Sequence, residues 1–255
     1  SIALVWLADR WARAQDGSAF GIIVDHGLRF ESADEARVAA EQLRAANIAA
    51  CIRKVSGIPP ENGVPAWARK ARYDLLRDAA VERGALHLLL AHHQDDQAET
   101  LLLRLARGSG VKGLSGMRGV QPDADLRLLR PLLDFRKAQV AATAEATGWT
   151  IADDPSNRAT KYARTRIRNA LATSSGDTTR LAKTAATLAS EDAAIEQAVT
   201  RLAVRAATIV PYGLIRLARS LLAAAPAAVS TRLLDRAVRM AGGAESPLRH
   251  SRIAR

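Results

Sequence analysis

Five ionisable side chains crowd into eight residues of this sequence: His92, His93, Asp95, Asp96 and Glu99. Carboxylate oxygens are the hard donors that Mg²⁺ prefers, with Asp95 the candidate ligand. Carboxylates also grip an ammonium group or take a proton from it. A histidine pair can contact phosphate or act as a base near neutral pH. Asp95 and Glu99 lie four apart and Asp96 and Glu99 three apart, which on a helix brings their side chains onto one face. Acids are also favoured in a first helical turn by the macrodipole, with no further role required, and either histidine can be packed or solvated. The density of the cluster exceeds what capping needs.

Two elements must position that cluster. Leu88-Leu89-Leu90 is an uninterrupted apolar run, so Leu86 to Ala91 reads as a buried strand. Ala98, Leu101, Leu102 and Leu105 then recur at helical spacing. The acids therefore sit where a strand hands over to a helix, which in an open α/β sheet is the ligand-binding carboxyl edge.

Upstream, helix and strand alternate. Ser1 to Ala14 reads as a helix with Ser1 as its cap. Phe20 to Asp25 reads as a strand leading into His26-Gly27-Leu28-Arg29, Glu31 to Asn47 as a helix, Ile48 to Val55 as a strand, and Asn62 to Arg83 as a helix. This order predicts a parallel sheet with right-handed crossovers. Arg69 and Arg72 fall three apart on the last of these helices, able to reach an anion or to stand as a surface pair.

Downstream, Arg107 to Met117 is a glycine-rich loop containing Gly108 and Gly110, which can cradle phosphate or simply turn the chain. Leu126 to Leu133 reads as a strand broken by Pro131, and Asp134 as the cap of a helix that Gly148 stops. A turn over Ala152 to Asn157 precedes a basic run in which Lys161, Arg164 and Arg168 share a helix face, either solvated or facing phosphate. Gly176 to Arg205 reads as a long helix capped by Asp177 or Thr178, Tyr212 to Leu217 as a short strand, and Pro226 to Met240 as a helix. The composition shifts near Ala172, so residues 1–172 read as an α/β domain and 173–255 as a smaller, mainly helical one.

The 255 residues carry a net charge of +11 with 48% apolar content, a globular composition. The pI of about 10.7 favours a polyanionic partner, nucleic acid first, although the arginine-rich composition that a GC-rich genome encodes would give the same excess. Cys51 is the one cysteine, which excludes a disulfide framework, a cysteine zinc site and an iron–sulfur cluster; it reads as a small core residue. No apolar stretch spans a membrane and no signal peptide is visible, so the protein is expected in the cytoplasm with no membrane partner. The sequence leaves the oligomeric state open, a homodimer included.

Taken in order, the motifs resemble the tRNA(Ile)-lysidine synthases, a branch of the N-type ATP pyrophosphatase (PP-loop) superfamily. Val24 to Arg29 looks like the family's strand-end motif, and Ala68 to Tyr73 like its Ala-Arg-x-x-Arg-Tyr. His92 to Thr100 matches His-His-x-Asp-Asp-x-x-Glu-Thr, and Arg107 to Met117 matches the glycine loop that follows. Arg130 to Leu133 and Asp154 to Asn157 continue the series. The matches cover roughly 160 residues, and the helical tail is similar less specifically.

The resemblance implies a Rossmann-like, adenine nucleotide α hydrolase-like PP-loop domain. ATP, with Mg²⁺, would adenylate the carbonyl at position 2 of the wobble cytidine in a CAU-anticodon tRNA(Ile), and free L-lysine would displace AMP to give lysidine. In those terms Asp96 and Glu99 handle lysine, supported by Asp95. His92, His93, Arg69 and Arg72 face phosphate or the activated base, and Ser1, Asp25, His26, Gly108 and Gly110 lie by the nucleotide. Ser156, Asn157, Lys161, Arg164 and Arg168 are candidates for the tRNA backbone.

One departure stands out. The family's pyrophosphate loop reads Ser-Gly-Gly-x-Asp-Ser, and only its final serine is present, as Ser1. The expectation is that a strand and most of the loop precede Ser1, and that a molecule truly starting there would be inactive. Rival readings are a tRNA 2-thiocytidine synthetase, disfavoured by the lone cysteine, a non-catalytic RNA-binding protein that kept the fold, and an amide synthase acting on a small acid.

Overall fold

The computed structural model describes residues 1–27, 31–123, 125–150, 163–173 and 177–242. The chain forms two compact units: residues 1–108 with 116–183, and residues 109–115 with 184–255.

The first unit alternates helix and strand as the sequence predicts. It runs α1 (Ile2–Arg13), β1 (Phe20–Asp25), α2 (Ser32–Ala45), β2 (Ala49–Lys54), α3 (Val64–Glu82), β3 (His87–Leu89) and α4 (Gln94–Leu105). After α5 (Val111–Leu114), a single turn of the second unit, come β4 (Val120–Asp123), β5 (Leu126–Leu129), α6 (Lys137–Glu145) and α7 (Ala163–Thr173). The pair β1–β2 is parallel, with Phe20 opposite Ala49 and Asp25 opposite Lys54. β3 pairs with β5 in parallel, and β4 closes that group antiparallel to β5.

Packing follows the apolar pattern. Leu76 of α3 joins Leu88, Leu90 and Leu128 in one buried cluster, with Ile22, Val24 and Tyr73 against it, so α3 covers strands of both groups. Gly21 lies under α2: a Cβ there would meet Leu43 Cδ1 at 2.5 Å. Several boundaries differ from the sequence reading. β3 stops at Leu89, although the Leu90 N–H still bonds Leu129 O at 2.8 Å, because the chain must leave the sheet to start α4. The strand β4 is an addition, its Pro122 and lack of alternation having concealed it. α6 begins at Lys137, not directly after Asp134, and Gly148 follows it at φ 70°, a conformation glycine reaches without strain.

The second unit takes up most of α8 (Thr178–Ala206), then β6 (Ala207–Val210), β7 (Leu214–Leu217), α9 (Arg219–Ala224) and α10 (Ala227–Gly242). Asp177 Oδ1 caps α8, accepting the N–H groups of Thr179 and Arg180 at 3.0 and 3.2 Å. β6 and β7 form an antiparallel hairpin. Val199, Ala206, Val229 and Leu233 make the core of this unit. Beside it, buried Asp192 and Glu196 pair with Arg232 at 2.6 and 3.1 Å, and Glu196 also with Arg236 at 2.6 Å.

Among the described residues no helix is long and apolar enough to cross a membrane. Cys51 is free and only partly buried.

Candidate active site

The parallel strands β1, β2 and β3 end in Asp25, Lys54 and the Leu90–His93 segment, so their carboxyl ends carry the ionisable residues. Asp25 is 5% exposed, and its Oδ1 accepts the Gly27 N–H at 2.9 Å and the Ser32 hydroxyl at 2.6 Å. The Ser32 bond, with the Gly27 N–H and the charges of Lys54 and His26, holds the Asp25 carboxyl below its usual pKa against the opposing effect of burial. Gly27 sits at φ 61°, which lets the chain turn sharply after β1. Asp25 thus ties its strand to the start of α2, with His26 beside it. Leu28 and Arg29 lie outside the described residues.

At the next strand end, His93 is the cap residue of α4. Its N–H donates to Asp96 Oδ2 at 3.0 Å, so Asp96 closes the first turn from inside the helix. Asp95 turns the other way, and its Oδ2 accepts the Lys137 N–H, the first of α6, at 2.8 Å. The His93 ring lies 3.6 Å from Asp95 and 3.5 Å from Asp96. Gln97 holds the end of the glycine-rich segment by a reciprocal pair, donating to Met117 O at 2.8 Å and accepting the Met117 N–H at 2.7 Å. Arg104 adds a bond to Gly116 O at 2.9 Å.

Glu99 is 2% exposed and enclosed by arginines from α7. Arg164 Nε donates to Glu99 Oε2 at 2.7 Å and its Nη2 to Asp96 Oδ1 at 3.0 Å. Arg168 Nε donates to Glu99 Oε1 at 2.7 Å and its Nη2 to Oε2 at 3.2 Å. The four-residue spacing of the arginines on α7 complements the three-residue spacing of the acids on α4. The basic run by itself leaves these arginines solvated or facing phosphate; in the fold they meet the acids of α4.

A second set of groups surrounds His92. Its pKa is lowered to about 4, chiefly by burial and further by Arg130, Arg69 and Arg72, against the raising influence of Asp96, so the ring is neutral at pH 7. Its Nδ1 is buried and makes no hydrogen bond among the described residues. Arg72 keeps solvent contact, while desolvation of its guanidinium, and secondarily Arg69, lower its pKa. Arg104 is lowered by the same two causes. Arg69 donates to the Tyr73 hydroxyl at 3.2 Å with its guanidinium 5.0 Å over that ring, and among the described residues neither Arg69 nor Arg72 pairs with a carboxylate. Buried Arg130 bonds Arg118 O at 2.8 Å. The backbone nitrogen of Ser1, at the start of α1, lies within electrostatic reach of both Arg72 and Asp96.

Ser1, Arg69, Arg72, His92, His93, Asp95, Asp96, Glu99, Arg164 and Arg168 therefore gather in one unit. Gly108 ends that unit at φ 67° with open space around it, whereas Gly110 belongs to the other unit. Ser156, Asn157 and Lys161 lie outside the described residues. Among the described residues no three His, Cys, Asp or Glu side chains converge as metal ligands. Asp95 is bound to α6, and Asp96 and Glu99 to guanidinium groups, so these carboxylates do not fit a resident magnesium site.

An acid cluster beside a carboxylate-free arginine cluster, at the carboxyl edge of parallel strands, defines a nucleotide-handling α/β domain. A family model described as the PP-loop domain matches residues 1–175. The chain is 47% identical over 201 residues to the tRNA(Ile)-lysidine synthase of Bradyrhizobium diazoefficiens, covering 77% of this chain and 56% of that protein. It is 41% identical over 238 residues to the one from Methylobacterium nodulans, covering 90% and 69%. The chain belongs to the PP-loop family and, within it, to the tRNA(Ile)-lysidine synthases. It spans about half the length of several of these relatives, 56% and 48% in two Bradyrhizobium strains. A solved structure, the U34-tRNA thiolase NcsA from Methanococcus maripaludis with its iron–sulfur cluster, shares the fold with a TM-score of 0.61 at 15% identity, covering 74% of this chain and 68% of that one.

Proposed function

We propose that the protein is an ATP-dependent ligase that attaches L-lysine to carbon 2 of the wobble cytidine in CAU-anticodon tRNA(Ile). The reading rests on the kinship above, and on one structural observation: buried His92 lies between the charge of Asp96 and the opposing charges of Arg130, Arg69 and Arg72. An amine-binding end and a phosphate-binding end thus adjoin.

Cytosine's carbonyl oxygen attacks the α-phosphate of ATP, and diphosphate leaves. Arg69 and Arg72, with the N-terminal end of α1 at Ser1, receive the phosphates, since guanidinium forks and helix N-termini both favour such anions. Magnesium travels with the nucleotide and belongs to the substrate. The lysine ε-amine then attacks C2, forming the C–N bond as the C–O bond to AMP breaks.

That amine must first shed a proton from a pKa of about 10.4. Asp96 and Glu99 grip the ammonium, and a carboxylate of the pair takes the proton. Neutral His92, its Nδ1 without a partner among the described residues, contacts the phosphate or the activated base. Asp25 and His26 shape the nucleotide end of the edge. Ser156, Asn157 and Lys161 are offered to the tRNA backbone, as would be the outward edge of Arg164. The reaction belongs to the cytoplasm, where tRNA is modified.

The test is lysine incorporation into a cognate transcript by the full-length protein, with and without ATP. ATP-dependent incorporation with AMP release is expected. ATP turnover that ignores lysine, or incorporation without ATP, would overturn the reading.

A further inference from the structure

We propose that Arg168 is a positioning residue for amine transfer, acting through the carboxylate of Glu99. The inference rests on the ligase reading above and adds a residue to it. Two donors of one guanidinium fork meet the two oxygens of Glu99, at 2.7 and 3.2 Å. The terminal torsion of a glutamate is broad, so an unrestrained carboxylate would swing freely. A bidentate fork removes that freedom and fixes the plane of the group.

Arg164 cannot substitute, because it divides its donors between Glu99 and Asp96 and leaves Glu99 Oε1 untouched. Lysine at position 168 would supply charge without the plane. Burial of Glu99 closes off water as an alternative restraint. Through Arg164, which bridges Glu99 Oε2 and Asp96 Oδ1, a fixed Glu99 plane in turn sets the direction in which Asp96 meets the incoming ammonium. Because Nε and Nη2 are both committed to Glu99, little of the fork is left for a nucleic-acid phosphate.

The experiment uses full-length protein and a tRNA(Ile) transcript, and separates the two half-reactions. In Arg168→Gln and Arg168→Lys, transfer from the preformed adenylate to lysine should fall roughly 100-fold, the scale of a misplacement near 1 Å, while adenylate formation falls far less. Guanidinium ion added to Arg168→Ala should recover part of the transfer rate, and ammonium ion should not. In a Glu99→Gln background the Arg168 change should cost nothing more, as expected of two residues acting as one unit. The salt slope of tRNA binding should be unaltered.

Equal losses in both half-reactions, additive losses in the double variant, or a slope reduced by about 1, the mark of a lost phosphate contact, would each overturn the proposal. A wild-type protein that forms no lysine product at all would instead overturn the ligase reading, which is a separate result.

Discussion

The Asp95 carboxylate accepts the first N–H of α6, that of Lys137, across 2.8 Å and 42 residues of sequence. It therefore caps a helix other than its own, and the first unit needs it for assembly. Asp95→Ala should cost about 1 kcal/mol of stability, the usual worth of such a cap, and Asp95→Asn, which keeps an acceptor, should cost less. Denaturant unfolding of the two variants measures this. Equal stability of Asp95→Ala and wild type would remove the capping role.

Asp96 sits one residue on and behaves differently. Its Oδ2 takes the His93 N–H while Oδ1 faces Arg164. An asparagine keeps an acceptor for the N–H and loses the charge that holds an ammonium group. Asp96→Asn should therefore fold normally and lose lysine transfer, whereas Asp95→Asn keeps most of it. Wild-type transfer by Asp96→Asn would withdraw the amine-binding assignment.

His92 gives a prediction with a defined sign. An unfolded histidine takes up its proton near 6.5, and in the fold His92 does so near 4. Between those values the unfolded chain binds the extra proton, so stability drops as the pH falls from 6.5 towards 4. Above 6.5 both states are neutral at this residue and the contribution is complete. His92→Gln should flatten this part of the stability profile. A profile unchanged by the substitution would show that the ring is not buried among the arginines.

Gly21 tests the packing beneath the edge. Any Cβ there collides with the end of buried Leu43, so Gly21→Ala must either displace that side chain or push α2 away from β1. A loss of about 1–3 kcal/mol is expected from such overpacking. Thermal unfolding would read it, and an unaltered midpoint would mean that Leu43 re-rotates freely.

The sequence is most informative where one short element decides its own structure. β1 is read to the residue, because five apolar or small residues run unbroken up to Asp25. The handover from β3 to α4 is equally plain, since the apolar period changes at His92. β6 is hidden because it follows α8 without a turn signal, and only pairing with β7 makes it a strand. Within the site, only the family resemblance sets Arg69 and Arg72 with the acids; in the fold both arginines and Asp96 act on His92. The commitment of Arg164 and Arg168 is not, because a basic run gives its charge and face but not which acids will oppose it.

The guanidinium groups of Arg69, Arg72, Arg104 and Arg130 act on one another or on His92 with the same sign. Under the proposed function, repulsion of this kind would be relieved by phosphate oxygens lying among them. Occupancy by nucleotide should then firm up the whole first unit, as any ligand that prefers the folded state must.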